Sequence, residues 1–381
     1  MVPLAFSILA ALSIALLLWQ WTVAIRFPLR EVENLPDFAP AITILKPLKG
    51  SDENTRKCLE SWFLQEYNAP LQILLGVASE DDSVCDIVRD LISKYPKIDA
   101  SLIICDPVLG PNAKVSSLCH LSSEIKHDFV AISDADVLAG PNFLRETIPM
   151  LKDEQIGLIH SFYELANPTT LAMRYEAITT NADFWSQVLQ AASLKPVNFA
   201  LGASMILRKK QIEELNLFQV LKDYLADDYW MGRKICESGK EVVFSRLPVK
   251  CMESKSNWRG VYSHQLRWAR TVRVSQPFPY FFSILSNPTL WPVLWYLSAS
   301  VEQAEHVLHM LLICLLIRIS VVNQLQWRFT QSKAHIKYLW LVPIRDILGA
   351  FVWLQSFAGN HVVWSGQFYR VGRSGKLVPS K

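Results

Sequence analysis

Several common signatures are missing from this chain. No G-x-x-x-x-G-K-[ST] and no G-x-G-x-x-G occurs, which removes P-loop nucleotidases and dinucleotide-dependent oxidoreductases. No G-x-S-x-G or H-E-x-x-H appears either, which argues against the common hydrolases. The seven cysteines (Cys58, Cys85, Cys105, Cys119, Cys236, Cys251 and Cys314) are odd in number, scattered and never spaced C-x-x-C. That excludes a disulfide framework or a structural zinc site and fits a reducing compartment. Neither sign of charge dominates. A net charge of +3 with no Lys/Arg-rich tract gives no reason to expect a nucleic-acid partner.

What the chain has in quantity is apolar surface: hydrophobic residues make up 51% of 381, with 13 Trp. That length holds one large or two smaller domains. Residues 2–25 form an uncharged, mostly apolar run, long enough as a helix to cross a bilayer. A cleaved signal peptide would want a basic start and a shorter apolar stretch, so a membrane anchor over residues 1–27 is expected. Arg26 and Arg30 follow it, which places the next domain in the cytosol and the N-terminus outside.

Residues 28–276 read as an α/β domain. Strands are expected at 42–45, 71–78, 100–105 and 129–133, with helices at 54–65, 84–95 and 114–125. Strands alternating with helices of this length imply βαβ units and a mostly parallel sheet. Ligands of such sheets bind beyond the carboxyl ends of the strands, and the acidic clusters fall there. Asp81 and Asp82 follow one strand; Asp134 and Asp136 follow another. Alternation along a strand would aim both carboxylates of D-x-D the same way. Oxygen ligands so placed suit a hard divalent cation that also holds a substrate's phosphates. A solvated turn is the plain alternative for either cluster taken alone.

Two further segments carry chemistry. In Leu225-Ala226-Asp227-Asp228-Tyr229-Trp230, Asp228 either caps a helix or points into a cleft and takes a proton from an incoming hydroxyl. In Ser263-His264-Gln265-Leu266-Arg267-Trp268, the cations and indole belong either to a helix lying on anionic lipid or to a pyrophosphate site. For the latter, Arg267 supplies a planar fork of donors and Trp268 a stacking wall.

The series E-D-D after a strand, S-D-A-D, A-D-D-Y-W and H-Q-L-R-W, in that order, resembles the inverting GT-A glycosyltransferases of the cellulose synthase-like superfamily. It is most similar to the ceramide glucosyltransferase family and its bacterial hopanoid-glycosyltransferase relatives, over residues 41–271. The resemblance implies a GT-A fold, Rossmann-like with a mostly parallel sheet, flanked by N- and C-terminal transmembrane helices. It implies a UDP-sugar donor, a membrane lipid acceptor and Mg2+ or Mn2+ as cofactor. Asp82 would read the uracil or ribose side of the donor. Asp134 would be the central aspartate of the donor site, ligating the metal together with Asp136, and Asp228 would be the catalytic base. Arg267 and Trp268 would hold the diphosphate, while Lys114 and His160 resemble a family lysine and histidine near the donor; a satisfied buried imidazole is the equal alternative for His160. His264 departs from the Gln or Arg of the family's (Q/R)-x-x-R-W, with Gln265 one residue later. The expected reaction is inverting transfer of a hexose, glucose first, to a lipid hydroxyl such as that of ceramide, giving a β-linked glycolipid. Glucose or N-acetylglucosamine transfer to a hopanoid or diacylglycerol, or a polyprenyl-phosphate glycosyltransferase, are the alternatives.

The C-terminal third, residues 277–359, reads as a membrane region. Residues 278–298 and 304–322 are apolar, with Glu302 and Glu305 between them and the basic Arg328, Lys333 and Lys337 beyond. That charge pattern makes a hairpin with its acidic tip outside. Residues 338–359 carry Arg345-Asp346 near the middle, a pair that is costly in lipid and faces protein or water. This stretch is therefore expected to be interfacial or re-entrant, leaving a basic tail at 360–381 in the cytosol. The chain is thus expected to be a multi-pass membrane protein with its catalytic domain facing the cytosol.

Overall fold

The computed structural model describes residues 2–31, 38–364, 367–372 and 375–379. The first half holds α1 (Val2–Arg26), β1 (Ile42–Pro47), α2 (Thr55–Phe63), β2 (Leu71–Val77), α3 (Val84–Lys94), β3 (Asp99–Ile104), α4 (Ala113–Leu121), β4 (Phe129–Ser133), β5 (Val137–Leu138) and α5 (Phe143–Thr147). Next come β6 (Ile156–His160), β7 (Tyr163–Leu165), α6 (Leu171–Ile178), α7 (Trp185–Ala192), β8 (Ser204–Arg208), α8 (Lys209–Glu214), α9 (Leu217–Leu221), α10 (Asp227–Glu237), β9 (Glu241–Phe244) and β10 (Val249–Cys251). The chain closes with α11 (Trp258–Ser275), α12 (Pro277–Phe282), α13 (Leu290–Ser298), α14 (Val301–Thr330), α15 (Leu341–Ser356), β11 (His361–Trp364), β12 (Gln367–Val371) and β13 (Leu377–Pro379).

A seven-stranded sheet in the order β3-β2-β1-β4-β8-β6-β9 forms the centre. Strands β1 to β4 are mutually parallel, and β8 is inserted antiparallel between β4 and β6. The inner strands are near-continuous apolar runs because helices cover both faces. On one face α2, α3 and α5 contribute Leu59, Trp62, Val88 and Leu144. On the other, α4, α9 and α10 contribute Val115, Leu118, Phe218 and Met231. The four expected strands and three expected helices all form, with ends within a few residues of those read from the sequence. The helix expected at 114–125 closes earlier, its last turn tightening to 3-10 geometry at Ser122–Glu124.

Helices α1 and α14 have 25 and 30 residues, and an 18-residue stretch in each reaches a mean hydropathy of 2.3 and 1.9. At 1.5 Å per residue they are about 37 and 45 Å long, enough to cross a bilayer core of roughly 30 Å. They lie side by side: the Trp21 indole donates to Gln324 Oε1 at 2.6 Å and Arg328 Nη2 to Phe27 O at 2.7 Å. The expected span at 278–298 is not one continuous helix. Pro279, Pro288 and Pro292 leave α12, a 3-10 turn at Ser283–Ser286 and the nine-residue α13, because proline cannot donate to the helical ladder. The segment expected as a basic tail is ordered as well. Among its described residues β11, β12 and β13 form an antiparallel sheet; Arg373 and Lys381 lie outside the described residues.

A third core joins the apolar helices to the α/β domain through Leu17, Tyr175, Trp185, Val322 and Phe329, with Trp185 stacked on Phe329 at 4.9 Å. Between α6 and α7 the helix widens into a π turn, Thr179–Phe184. This carries Asp183 to Arg318 of α14, whose Nη1 and Nη2 donate to Asp183 Oδ1 and Oδ2 at 2.8 and 2.9 Å. The same guanidinium donates to Asp346 Oδ2 and Oδ1 at 2.9 and 2.8 Å, and Thr289 donates a further bond to Asp346 at 2.6 Å. Arg345 completes the group 2.9 Å from Asp183. The Arg345-Asp346 pair of α15 thus faces protein, as its cost in lipid requires. Removing one partner of a buried ion group leaves the others uncompensated, so Arg318→Met is expected to destabilise the fold by about 3–5 kcal/mol. Thermal unfolding of the detergent-solubilised protein measures this; an unchanged transition would mean that the group contributes no net stability.

Candidate active site

Strands β1 and β4 end at one edge of the sheet, where the antiparallel β8 begins. The chain leaves β4 through Asp134-Ala135-Asp136 as a turn: Asp134 N donates to Ala203 O at 3.2 Å and Val137 N returns to Asp134 O at 3.3 Å. The two carboxylates therefore reach the same side through a turn, not through strand alternation. Both line a cleft of about 2210 Å³.

Two ammonium groups, one fully buried and one partly so, answer this charge. Lys46, at the end of β1, is fully buried; its Nζ donates to Ser133 Oγ at 3.2 Å and to the carbonyl of Asp134, 5.1 Å from the centre of the Trp62 ring. Burial lowers its pKa to about 8, with Asp134 and Asp136 acting the other way. Lys114, in the first turn of α4, lies 2.6 Å from Asp134 Oδ1 and 3.5 Å from Asp227 Oδ2. Burial disfavours its charge, but Asp134 and Asp227 outweigh that and raise its pKa. Asn112 caps the same helix, accepting from Val115 N at 3.0 Å, while its amide donates to Tyr224 O and Asp227 Oδ1 at 2.7 and 3.3 Å.

Asp227 and Asp228 open α10. Burial and then the neighbouring Asp227 push the Asp228 carboxyl up to about 6, with Lys114 opposing. Its Oδ1 accepts from Tyr229 N at 2.8 Å. Its other oxygen faces Gly202, where an added Cβ would sit only 2.9 Å away. A glycine before β8 is what lets this carboxylate enter the cleft. The Asp136 carboxyl is also pushed up to about 6, by burial and then by Asp134. Asp134 and Asp136 together bring hard carboxylate oxygens to one turn at the cleft, a donor set that fits a divalent cation. Asp82 lines the same cleft but is already engaged. It accepts from Gly50 N at 2.9 and 3.0 Å and from Val84 N at 3.0 Å, tying the loop after β1 to the start of α3.

Along α11, His264, Arg267 and Trp268 fall on one face by their i, i+3 and i+4 spacing, and all three line the cleft. Glu176 of α6, 2% exposed, gathers that face: His264 Nδ1 lies 2.8 Å from its Oε1 and Gln265 Nε2 donates to it at 2.9 Å. Trp268 packs against His264, Phe184 and Tyr163 at 4.6, 5.8 and 6.4 Å between ring centres. Glu253 stands close by. Burial, then Glu176, pushes its carboxyl up to about 7, with His264 opposing. Among the described residues, Glu176, Glu253 and His264 are the one group of three possible ligands within 4.8 Å of one another. Glu176 is already shared between two donors.

Eight of the expected residues, Asp82, Lys114, Asp134, Asp136, Asp228, His264, Arg267 and Trp268, meet in this cleft. His160 does not. It is fully buried at the end of β6, its Nδ1 accepting from Leu201 N at 3.0 Å and its ring 4.5 Å from that of Phe244. It supports the loop leading to Gly202 from beneath. Lys46, Asn112, Asp227, Glu176 and Glu253 were not expected at the site. Lys46 carries one local mark, a lysine ending an otherwise apolar strand in Ile42-Thr43-Ile44-Leu45-Lys46, but the same pattern marks a strand's exit to solvent.

This sheet order, with acidic turns at its carboxyl edge, is the architecture of a GT-A glycosyltransferase. Within that class, the chain belongs to glycosyl transferase family 21, which it matches over residues 5–377. Ceramide glucosyltransferase 3 of Caenorhabditis elegans is 21% identical over 351 residues, covering 90% of this chain and 75% of that protein. The ceramide glucosyltransferase of Candida albicans is 29% identical over 198 residues, covering 47% of this chain and 36% of that protein. Among solved structures, the mannosyltransferase PcManGT from Pyrobaculum calidifontis in complex with GDP-Man and Mn2+ is 17% identical. It aligns with a TM-score of 0.48 over 91% of this chain and 99% of that one.

Burial lowers the pKa of His160 to about 3. On acidification the unfolded chain takes up this proton near 6.5 and the folded chain does not, so stability falls as pH drops from about 6.5 towards 3. His160→Asn keeps an acceptor for Leu201 N–H without the titration. The fall in melting temperature between pH 7.5 and 5.0 is expected to be smaller in this variant than in wild type.

Proposed function

We propose that this glycosyltransferase moves a hexose, glucose in the first instance, from a UDP-sugar to the hydroxyl of a membrane lipid such as ceramide, with inversion at the sugar carbon. The observation that carries this reading is the continuity of the cleft. One space joins Asp134, Asp136 and Asp228 to the apolar helices, with Leu17 of α1 and Val352 of α15 among its walls. A lipid can leave its tails in the bilayer while its hydroxyl enters the acidic end. The similarity to ceramide glucosyltransferases supports the same acceptor and donor.

The residues divide the work. Asp134 and Asp136 would hold Mg2+ or Mn2+, which when bound neutralises charge on the donor diphosphate. Arg267 offers its planar fork to the same diphosphate, and Trp268 walls that end. Asp228 accepts the proton of the acceptor hydroxyl. The acceptor oxygen bonds to the sugar carbon as the sugar–phosphate bond breaks on the opposite face, and the electron pair leaves with UDP. An α-linked donor becomes a β-linked product, with no covalent enzyme intermediate. Asp82 shapes the nucleotide end through the loops it ties together.

The membrane arrangement follows by parity. Helix α1 carries the chain in, with its N-terminus outside. The C-terminal strands pack on the α/β domain, so the number of crossings between residues 276 and 360 is even. If α14 crosses, the broken stretch from α12 to α13 crosses too, and α13 accordingly lies along the outer half of α1, with Trp291 6.4 Å from Phe6. Helix α15, about 24 Å long at 1.5 Å per residue, then lies at or partly within the cytosolic face. The catalytic domain is cytosolic.

Replacing a general base costs roughly 100-fold or more, so Asp228→Asn is expected to lose transfer by at least that factor while still binding UDP. Mass spectrometry of lipids from cells supplied with labelled UDP-sugars identifies the product, and normal turnover by the variant would sink the assignment. Because Asp228 must be ionised to take the proton, wild-type kcat is expected to decline as pH falls through about 6, not near 4 where an ordinary aspartate titrates.

A further inference from the structure

The C-terminal strands do more than end the chain. Strand β13 meets the segment just before α10: Leu377 N donates to Asp223 O at 2.7 Å and Leu225 N donates to Gly375 O at 3.2 Å. Between these bonds Tyr224 and Lys376 form an antiparallel bridge, with the Lys376 ammonium 5.4 Å from the centre of the Tyr224 ring. Leu225 is buried with Val362, Tyr369, Val371 and Leu377 in a small core of its own. Gly375 sits at φ +81, where an added Cβ would be 2.8 Å from the Trp230 indole nitrogen. The β-sheet is thus extended by the loop that leads into Asp227 and Asp228.

The other side of this loop is pinned by Asn112. Its backbone N–H donates to Lys222 O at 2.9 Å and its side chain donates to Tyr224 O and Asp227. The far end of the meander is tied to α11, where Arg270 donates to His361 O and Arg273 to Gly359 O at 3.1 Å. Helix α11 also carries Arg267. Tyr369, whose hydroxyl donates to Gln367 Oε1 at 2.6 Å, lines the cleft together with Phe368.

We propose that the C-terminal β-meander is a positioning element of the active site, clamping residues 223–225 so that Asp228 is held at its working place in the cleft. The clamp acts through the loop and α10, since Gly375 and Leu377, which bond to residues 223 and 225, lie outside the cleft lining. This inference rests on the reading of Asp228 as the proton acceptor. The five-residue loop 222–226 between α9 and α10, held only from the Asn112 side, could let α10 begin a turn earlier or later, and a shift of about 1 Å at a reacting group costs on the order of 100-fold in rate.

The test uses the full-length protein in nanodiscs, with Gly375→Val and Leu377→Asp as clasp variants and the half-exposed Val378→Ser as control. Gly375→Val and Leu377→Asp are expected to lower kcat on the order of 10- to 100-fold while the Kd for UDP stays within about threefold. The acid limb of kcat is expected to move to lower pH, because a displaced Asp228 leaves its buried site beside Asp227. Amide exchange should quicken in residues 222–230 and stay unchanged in β1, β2 and β4. Wild-type kcat and pH profile in both clasp variants would overturn the proposal. So would loss of UDP binding together with faster exchange throughout the central sheet, since the meander would then be a general support of the fold. Should Asp228→Asn turn over normally, the base assignment fails on its own. The exchange pattern at 222–230 then still decides whether the clasp holds this loop.

Discussion

Four carboxylates, Asp134, Asp136, Asp227 and Asp228, are brought to one sheet edge against two ammonium groups, Lys46 and Lys114. The rest of the site depends on that balance. Like charges about 4 Å apart repel by roughly 4 kcal/mol at the effective dielectric of a protein surface, so the cluster exists only because the lysines stand within it. Lys114 matters most, because it spans Asp134 on the turn after β4 and Asp227 at the start of α10. One ammonium thereby couples the turn that carries Asp134 and Asp136 to the helix start that carries Asp228. Lys46 works from below, bonding to the turn's backbone and to Ser133, so it fixes where the D-x-D carboxylates stand without occupying them. The cluster holds more carboxylates than ammonium groups, in keeping with the proposed divalent cation.

Much of this was legible because the α/β half obeys local rules. Apolar runs such as 71–77 and 129–133 are strands of a sheet covered on both faces, and their ends mark the binding edge whatever the exact register. Acidic residues just past those ends could be assigned to a site before any geometry was known. His160 was less easily read, because a histidine at a strand end carries the same local signal whether it faces substrate or core. Its burial is decided by Phe199 and Phe244, which are distant in sequence. Lys46 was hidden for the opposite reason: a lysine at the end of an apolar strand reads as the strand's exit to solvent, and only the covering Trp62 turns it inward.

The C-terminal region was the hardest to read. Between 361 and 379 the strands are short and the inward residues few, Val362, Tyr369, Val371 and Leu377, while the charged residues are all basic, Arg370, Arg373 and Lys376. A period of two is present, yet net basicity gave the stretch the look of a solvated tail. The prolines at 279, 288 and 292 were visible, but hydropathy averages over them and cannot say where a helix breaks. In both places the deciding contacts are long-range: the meander is ordered by the loop before α10, and α13 by its packing along α1.

The clamp around Arg318 also bears on which molecules the cleft can serve. Glu176 and Asp183 lie seven residues apart on one continuous helical rod, with the π turn Thr179–Phe184 at its Asp183 end. Glu176 grips the face of α11 that carries His264 and Gln265, and Asp183 is locked to the middle of α14 by two parallel hydrogen bonds. The rod is therefore a spacer of fixed length between the cleft face of α11 and a bilayer-sized helix. For a lipid acceptor, this makes the height of the hydroxyl above the hydrocarbon a criterion in its own right. Molecules with quite different headgroups but the same hydroxyl height would be treated alike, while a close chemical relative seated a few ångströms deeper would be passed over.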